Sequence, residues 1–323
     1  MIKIAVLGTG KIIPEAIAAM QASEKFEVAT IWARSHSRDK AQKLAEKFNV
    51  ASVSTDLDEI FSDDSIQFVY IGLVNSVHYE YARRALEAGK NVILEKPFTT
   101  SLDSARELVN IAKYKRLFLF EAVTNLHMPN FHALKDSLGK IGTVKLVQCN
   151  YSQYSSRYDD YKAYKVAPAF DPNCNGGALF DLNVYNINFV VGLFGAPEDS
   201  EYYPNKGWNS VDTSGSLVLK YNDFTATCNA GKDSASPCFL IVQGDKGFIY
   251  SQGSPNEFKS FDLVIRGEDT KHFELNKFDH RMVHEFIEFA EIFESGNYKA
   301  VESGLQTSLD VMKILETVSQ KKQ

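Results

Sequence analysis

The first thirteen residues constrain this chain most. Ile2 to Leu7 is a short apolar run, and Gly8-Thr9-Gly10-Lys11-Ile12-Ile13 follows it directly. A helical pattern then begins, with Ile17, Ala18 and Met20 apolar. Pro14 falls in its first turn, where a missing N–H costs little. A strand, a glycine turn and a helix in that order open a βαβ unit, which implies a parallel sheet. The first glycine permits a tight turn, and the second lets the backbone approach a pyrophosphate. The helix N-terminus offers free N–H groups and partial positive charge to the phosphates. Gly8, Thr9, Gly10, Lys11 and Ile12 are therefore candidate cofactor-binding residues. Ile13 stands at the third, usually small position, which implies looser helix–strand packing. A βα turn that holds no phosphate has the same local pattern.

The alternation continues. Residues 27–33 read as a strand, 37–48 as a helix, 66–73 as a strand, and 77–88 as a helix closed by Gly89. A strand follows at 91–94. Thr100-x-x-Asp103 resembles a capping box opening a helix to about residue 114, and 117–121 is another strand. This describes a doubly wound parallel sheet over 1–122, a Rossmann domain. Beyond it the pattern changes. Helical 129–138 and a long strand at 143–154 precede a polar, tyrosine-rich loop at 155–175. Gly176-Gly177 opens a helix through 194. Strands without intervening helices follow at about 214–221, 224–230, 237–243, 247–251, 258–266 and 270–275, and helices at 279–295 and 302–320 close the chain. Strands joined by short turns indicate a mostly antiparallel sheet, so 123–323 reads as an α+β domain for substrate binding and oligomerisation. The whole is α/β in class, and 323 residues suit two domains. Cys238-Phe239-Leu240-Ile241-Val242 has no polar face. One face can pack on helices, and a partner subunit in a homodimer or homotetramer is the simplest cover for the other.

Charge and cysteine usage narrow the partners. A net charge of −6 argues against a broad nucleic-acid surface. No apolar run of membrane-spanning length is evident, and the N-terminal run fits a first strand better than a signal peptide. The four cysteines (149, 174, 228 and 238) are far apart and read as reduced thiols of a cytoplasmic protein.

Three stretches carry chemistry. Val92-Ile93-Leu94 ends abruptly in Glu95-Lys96-Pro97. Neither a charge pair nor a proline suits a strand interior, so Lys96 stands at a strand end, where parallel sheets bind ligands. A solvated strand exit would look the same in isolation. The second strand ends Ala33-Arg34-Ser35-His36-Ser37-Arg38, with no carboxylate before Asp39. An acidic residue there would bind a ribose 2′-OH, whereas arginine accommodates a 2′-phosphate. Ala33, Arg34, Ser35 and Arg38 thus predict NADP(H) over NAD(H), with NAD(H) use still open. In the helix after Gly176-Gly177, Asp181, Tyr185 and Asn188 share one face at i, i+4 and i+7. A polar stripe on a largely apolar helix needs partners, either in a structural network or in a site. His280 and His284 are also four apart, but Arg281 intervenes and no third ligand is evident, so no metal site is assigned.

The Gly8-x-Gly10 turn, Glu95-Lys96-Pro97, Glu121-Ala122 and the Gly-Gly-x-Leu-x-Asp-x-x-x-Tyr run at 176–185 together resemble the Gfo/Idh/MocA nicotinamide-dependent oxidoreductases. The pattern is most similar to the dimeric dihydrodiol dehydrogenase and NADP-dependent D-xylose 1-dehydrogenase branch. The resemblance implies hydride transfer to or from a sugar, polyol, dihydrodiol or small carbonyl compound. Lys96, Tyr185 and Asp181 would form the catalytic group, with a cis bond before Pro97. A tyrosine titrates near pH 10, and the Lys96 ammonium is the expected neighbour that lowers this. Asp181 would orient that pair or hold a substrate hydroxyl. Leu73, Asn75, His78, Glu95, Lys96, Pro97 and Asn125 are further implied cofactor contacts, His78 with a helix-start role as its alternative. Asn183 departs from the family's usual glycine. Thr124, Asn125 and Leu126 replace its aromatic and arginine positions, so substrate identity does not carry over. Some members keep the fold without catalysis, so a nucleotide-sensing regulator is the alternative function.

Overall fold

The structure, a computed structural model, describes residues 1–320. Its chain divides into two compact units: Met1–Ala122 with Met282–Leu309, and Val123–Arg281 with the chain from Asp310 on.

In the first unit, apolar runs become strands and amphipathic segments become helices. The order is β1 (Ile2–Leu7), α1 (Ile12–Ala22), β2 (Phe26–Trp32), α2 (Arg38–Phe48), β3 (Ser52–Ser54), α3 (Leu57–Ser62), β4 (Phe68–Ile71), α4 (His78–Glu87), β5 (Asn91–Glu95), α5 (Leu102–Lys115) and β6 (Leu119–Ala122). Among the described residues these strands form one six-stranded parallel sheet, ordered β3-β2-β1-β4-β5-β6. Strands covered on both faces read as unbroken apolar runs, as β1 and β4 do. The order reverses between β1 and β4, which opens a crevice at their carboxyl ends.

Two short elements, β3 and α3, lie outside the sequence expectation, since neither is long or apolar enough to register. The capping box at Thr100 is also displaced. Ser101 is the cap, and its hydroxyl accepts the Ser104 N–H at 3.2 Å.

The segment 282–309, expected in the second domain, groups with the first unit. The reason is an aromatic seam on α9 (Val283–Glu294). Phe286 meets Phe26 at 5.8 Å and Phe289 stacks on Phe120 at 4.5 Å between ring centroids. Phe293 packs edge-on against both Phe68 and Phe118 at 5.0 Å. Each such pair adds to the area its rings bury. The last helix, α10 (Tyr298–Gln320), is shared between the units at Leu309.

The second unit contains α6 (Pro129–Ser137), β7 (Val144–Ser152), α7 (Tyr158–Lys162) and α8 (Val184–Phe194). The strands β8 (Asp199–Lys206), β9 (Asp212–Lys220), β10 (Thr225–Gly231), β11 (Phe239–Gly244), β12 (Gly247–Gln252), β13 (Phe261–Ile265) and β14 (Lys271–Phe273) follow. With β7 they form, among the described residues, one eight-stranded sheet ordered β14-β13-β12-β11-β7-β10-β9-β8. Only the β7–β10 pairing is parallel among those described. The loop at 155–175 is more ordered than its composition suggests. Tyr161 stacks on Phe170 at 4.9 Å and on Trp208 at 5.3 Å, a small core of its own.

The helical stretch Pro172–Phe194 reaches membrane-spanning length with mean hydropathy 1.3, against the expectation that no such run exists. Of its most apolar 18-residue window, 67% is buried, as in a core helix. All four cysteines are free.

Candidate active site

A candidate cofactor cradle lies at the β1–β4 crevice. Gly8 adopts φ +127°, and a Cβ there would fall 2.8 Å from the Gly72 carbonyl oxygen. Only glycine meets both demands. A cavity of about 310 Å³ is lined by residues 8–12, Trp32, Ala33, Arg34, His36, Ser37 and 72–74. Backbone N–H groups at a helix start and a positively charged rim suit the pyrophosphate and phosphate groups of a dinucleotide. Arg34 lines this cavity. Ser35 and Arg38 are not among its lining residues, whereas His36 and Ser37, which the sequence did not single out, are. The 3₁₀ turn at Ser35–Ser37 causes this by rotating successive side chains around the rim.

Ile13 does not loosen the packing. It is fully buried, and a Cβ on Gly72 would lie 2.6 Å from its Cδ1. The bulk missing at the end of β4 makes room for the bulk added on α1.

Lys96 directly follows β5 and is half-buried, and its bond to Pro97 is cis. The flanking predicted contacts turn inward. Glu95 is buried and accepts the Tyr70 hydroxyl at 2.5 Å. His78 is fully buried, its Nδ1 2.9 Å from the Pro97 carbonyl and its Nε2 3.2 Å from that of Leu73. Burial holds its pKa below the ordinary histidine value. The ring thus ties the Leu73 turn to the Lys96-Pro97 strand exit. It provides no side-chain cap for α4. Leu73 lines the cradle; Asn75 is half-buried just outside its lining.

In the second unit the segment Leu179–Asn183 is a π-turn leading into α8. The wider turn alters the simple three-residue stripe. Asn188 is fully buried and donates to the Val184 carbonyl at 2.9 Å, so it serves its own helix. Asn183 donates to the Cys228 carbonyl and Asn186 to that of Asn229, each at 2.9 Å, which moors the helix to β10. The departure from glycine at Asn183 thus adds a bond. Asn125, expected at the cofactor, is fully buried here and its amide donates to the Tyr185 carbonyl at 3.0 Å. It supports Tyr185 from beneath.

The Gly176-Gly177 pair is dictated by crowding. A Cβ at Gly176 would lie 2.6 Å from the Pro168 oxygen, and one at Gly177, where φ is +112°, 2.1 Å from Asp212 Oδ1. Asp212 accepts the Leu179 N–H at 2.7 Å and the Tyr202 hydroxyl at 2.6 Å, capping the π-turn. Tyr185 is 7% exposed, its ring 6.0 Å from that of Tyr151. Asp181, half-buried, receives the Lys232 ammonium at 2.9 Å. Lys232 was not visible as a site residue in sequence. It lies fifty-one positions from Asp181, and only the pairing of β10 beside this helix brings the two together.

Residues 2–122 match the oxidoreductase family with an NAD-binding Rossmann fold, and residues 136–250 match the GFO/IDH/MocA C-terminal domain. The NADP(+) scyllo-inositol 2-dehydrogenase IolU of Bacillus subtilis is 32% identical over 98% of this chain and 95% of its own length. The chain belongs to the Gfo/Idh/MocA oxidoreductases. The trans-1,2-dihydrobenzene-1,2-diol dehydrogenase of Mus musculus is 28% identical, covering 76% of this chain and 72% of that protein. In fold, this Gfo/Idh/MocA chain is similar to levoglucosan dehydrogenase in complex with NADH and levoglucosan. The TM-score is 0.85 at 16% identity, covering 99% and 98% of the two chains. It is also similar to KijD10, a 3-ketoreductase from Actinomadura kijaniata solved with NADP and TDP-benzene. There the TM-score is 0.81 at 24% identity, covering 96% and 95%. As a Gfo/Idh/MocA member the chain is a hydride-transferring oxidoreductase with a nicotinamide dinucleotide cofactor.

Proposed function

We infer that this enzyme uses NADP(H) to interconvert a hydroxyl and a carbonyl on a sugar, polyol or trans-dihydrodiol, with Lys96 and Tyr185 managing the proton. The observation that carries the cofactor choice is the rim of the cradle. Arg34 lines it, and no carboxylate stands between the end of β2 and Asp39. A carboxylate there would repel a 2′-phosphate, while guanidinium meets one bidentately. The substrate range follows the names of relatives, which include an inositol and a dihydrodiol dehydrogenase.

The nicotinamide, when bound, accepts or delivers the hydride. The glycine turn and α1 N-terminus hold the pyrophosphate. Tyr185 takes the proton from the substrate hydroxyl in oxidation and returns it in reduction. A phenol is a weak base at neutrality, and the positive charge of Lys96 favours its phenolate. Asp181 accepts a hydrogen bond from a substrate hydroxyl. A second copy of the chain covers the outer face of the large sheet, and the four free cysteines suit a reducing, cytoplasmic compartment.

The test is absorbance at 340 nm with NADP(H) and NAD(H) across inositols, aldoses, anhydrosugars, diols and dicarbonyls. Turnover is expected with at least one polyol or sugar. Lys96→Met and Tyr185→Phe should each keep cofactor affinity and lose about 10²-fold or more in kcat/KM. Wild-type rates in both variants would overturn the proton assignment. Arg34→Asp should move the kcat/KM preference toward NAD(H) by about tenfold or more, the scale of one charge-assisted pair. An unchanged ratio would show that the rim does not read the phosphate.

A further inference from the structure

Lys232 follows β10 directly, and its side chain is 3% exposed. Its ammonium donates to Asp181 Oδ2 at 2.9 Å and to the Ala169 carbonyl at 2.5 Å, and lies 4.4 Å from the centroid of the Phe170 ring. Its own backbone is fixed as well, its N–H donating to the Thr213 carbonyl at 2.8 Å and its carbonyl accepting from Ser155 at 2.9 Å. One residue thus joins the 155–175 loop, the end of β10 and the π-turn.

Lysine is an expensive way to fill such a space. An ammonium is strongly hydrated, and a buried ion pair commonly does no better for stability than apolar side chains of the same volume. Its distinct contribution is charge. An uncompensated carboxylate at Asp181 would disfavour a phenolate four residues along the same helical stretch. The titratable groups on the elements around this turn include Cys149 and Tyr151 of β7, Cys228 of β10, Asp212 of β9, Asp233 beyond β10 and Asp171 of the 155–175 loop, whose carboxylate accepts the Asn173 N–H. Asp212 is taken up by Leu179 and Tyr202, and Asp233 by Thr213, Ser214 and Ser234.

We propose that Lys232 is a positioning residue for the proton-transfer helix: it holds the Asp181 carboxylate ionised and fixed in direction, and balances its charge beside Tyr185. The inference rests on the role given above to Tyr185, and its test is chosen to stand apart from that role. In the full-length protein carrying ¹³C-carboxyl aspartate and ¹³Cζ tyrosine, Asp181 and Tyr185 are assigned through Asp181→Asn and Tyr185→Phe. Replacing Lys232 by Met should raise both the Asp181 and the Tyr185 pKa by about one unit or more, a tenfold change in each proton affinity. Lys232→Arg should keep both near the wild-type values. In the oxidation direction, where Tyr185 acts as base, the same Met variant should lower kcat about tenfold near neutral pH and shift the acidic limb of the kcat profile to higher pH, with the KM for NADP(+) unchanged and activity partly recovered in Lys232→Arg. If Lys232→Met does not fold, Lys232→Gln, which keeps a donor and removes the charge, carries the same Asp181 and Tyr185 measurements. Unmoved pKa values in these variants would overturn the proposal. Titrations that shift as expected without turnover of any substrate by the wild type would uphold the pair and overturn the proton-transfer reading instead.

Discussion

Glu121 is the penultimate residue of β6 and is buried within the protein. Its neighbour across the sheet is Leu94, which places it beside Glu95 and near Lys96. Burial pushes its carboxyl up to about 7, against hydrogen bonds from Ser308 and the Phe98 N–H that pull it down. Its Oε2 has no hydrogen-bond partner among the described residues. A raised carboxyl pKa means that the folded state binds the proton more tightly than the unfolded chain does. The stability this gives is full below the unfolded value near 4.5, and it is lost as pH rises through about 7. The size is about 3 kcal/mol, from 1.36 kcal/mol per unit. Glu121→Gln should therefore gain stability relative to wild type as pH rises from about 5 to 8, read as the difference in urea midpoints. A constant difference across that range would show that Glu121 titrates normally. In sequence Glu121 marked only a domain boundary, because its burial and its proximity to Glu95 are set by strand pairing.

At the scale of elements, the helix after Gly176-Gly177 was legible as the carrier of Asp181 and Tyr185, but its π-turn was not. Residue spacing alone assumes a uniform helix. The actual geometry follows from Asp212, which reaches in from β9 to cap Leu179. Gly177→Ala tests this device. Its Cβ would displace Asp212 while the backbone stays at φ +112°, so the expected loss is about 2–4 kcal/mol of stability, with reduced turnover. Gly89→Ala is the control, since φ there is +83° and nothing lies within 4 Å, so only the backbone term of about 1 kcal/mol applies. Equal denaturation midpoints for the two variants would remove Asp212 from the account. The same reasoning explains Ile13. A one-dimensional motif expects a small residue there, and the fold instead placed the missing volume at Gly72.

For the whole molecule, the large sheet keeps one face for its own unit. Leu240 and Val242 are buried, while Ile241 between them is half-buried on the other side. Val218, Thr227, Gln148, Ile241 and Tyr250 stand in one cross-sheet row on that outer face, and Phe248 beside it is 40% exposed. A broad face of this composition suits a second copy of the chain. Light scattering at micromolar concentration should give an oligomer for wild type and a smaller species for Ile241→Asp; a wild-type monomer would end this reading. The sequence by itself determined the parallel sheet, the cradle with Arg34, the strand-end Lys96, the antiparallel character of the second unit and the helix of Tyr185. Each follows from local periodicity, from glycine and proline geometry, or from motifs whose residues adjoin in the chain. Only the tertiary structure decided that 282–309 packs with the first unit, that Asn125 and Asn188 turn inward, and that Lys232 meets Asp181. Those outcomes depend on side chains tens of residues apart meeting in a packed interior, where burial and strand pairing choose the partners.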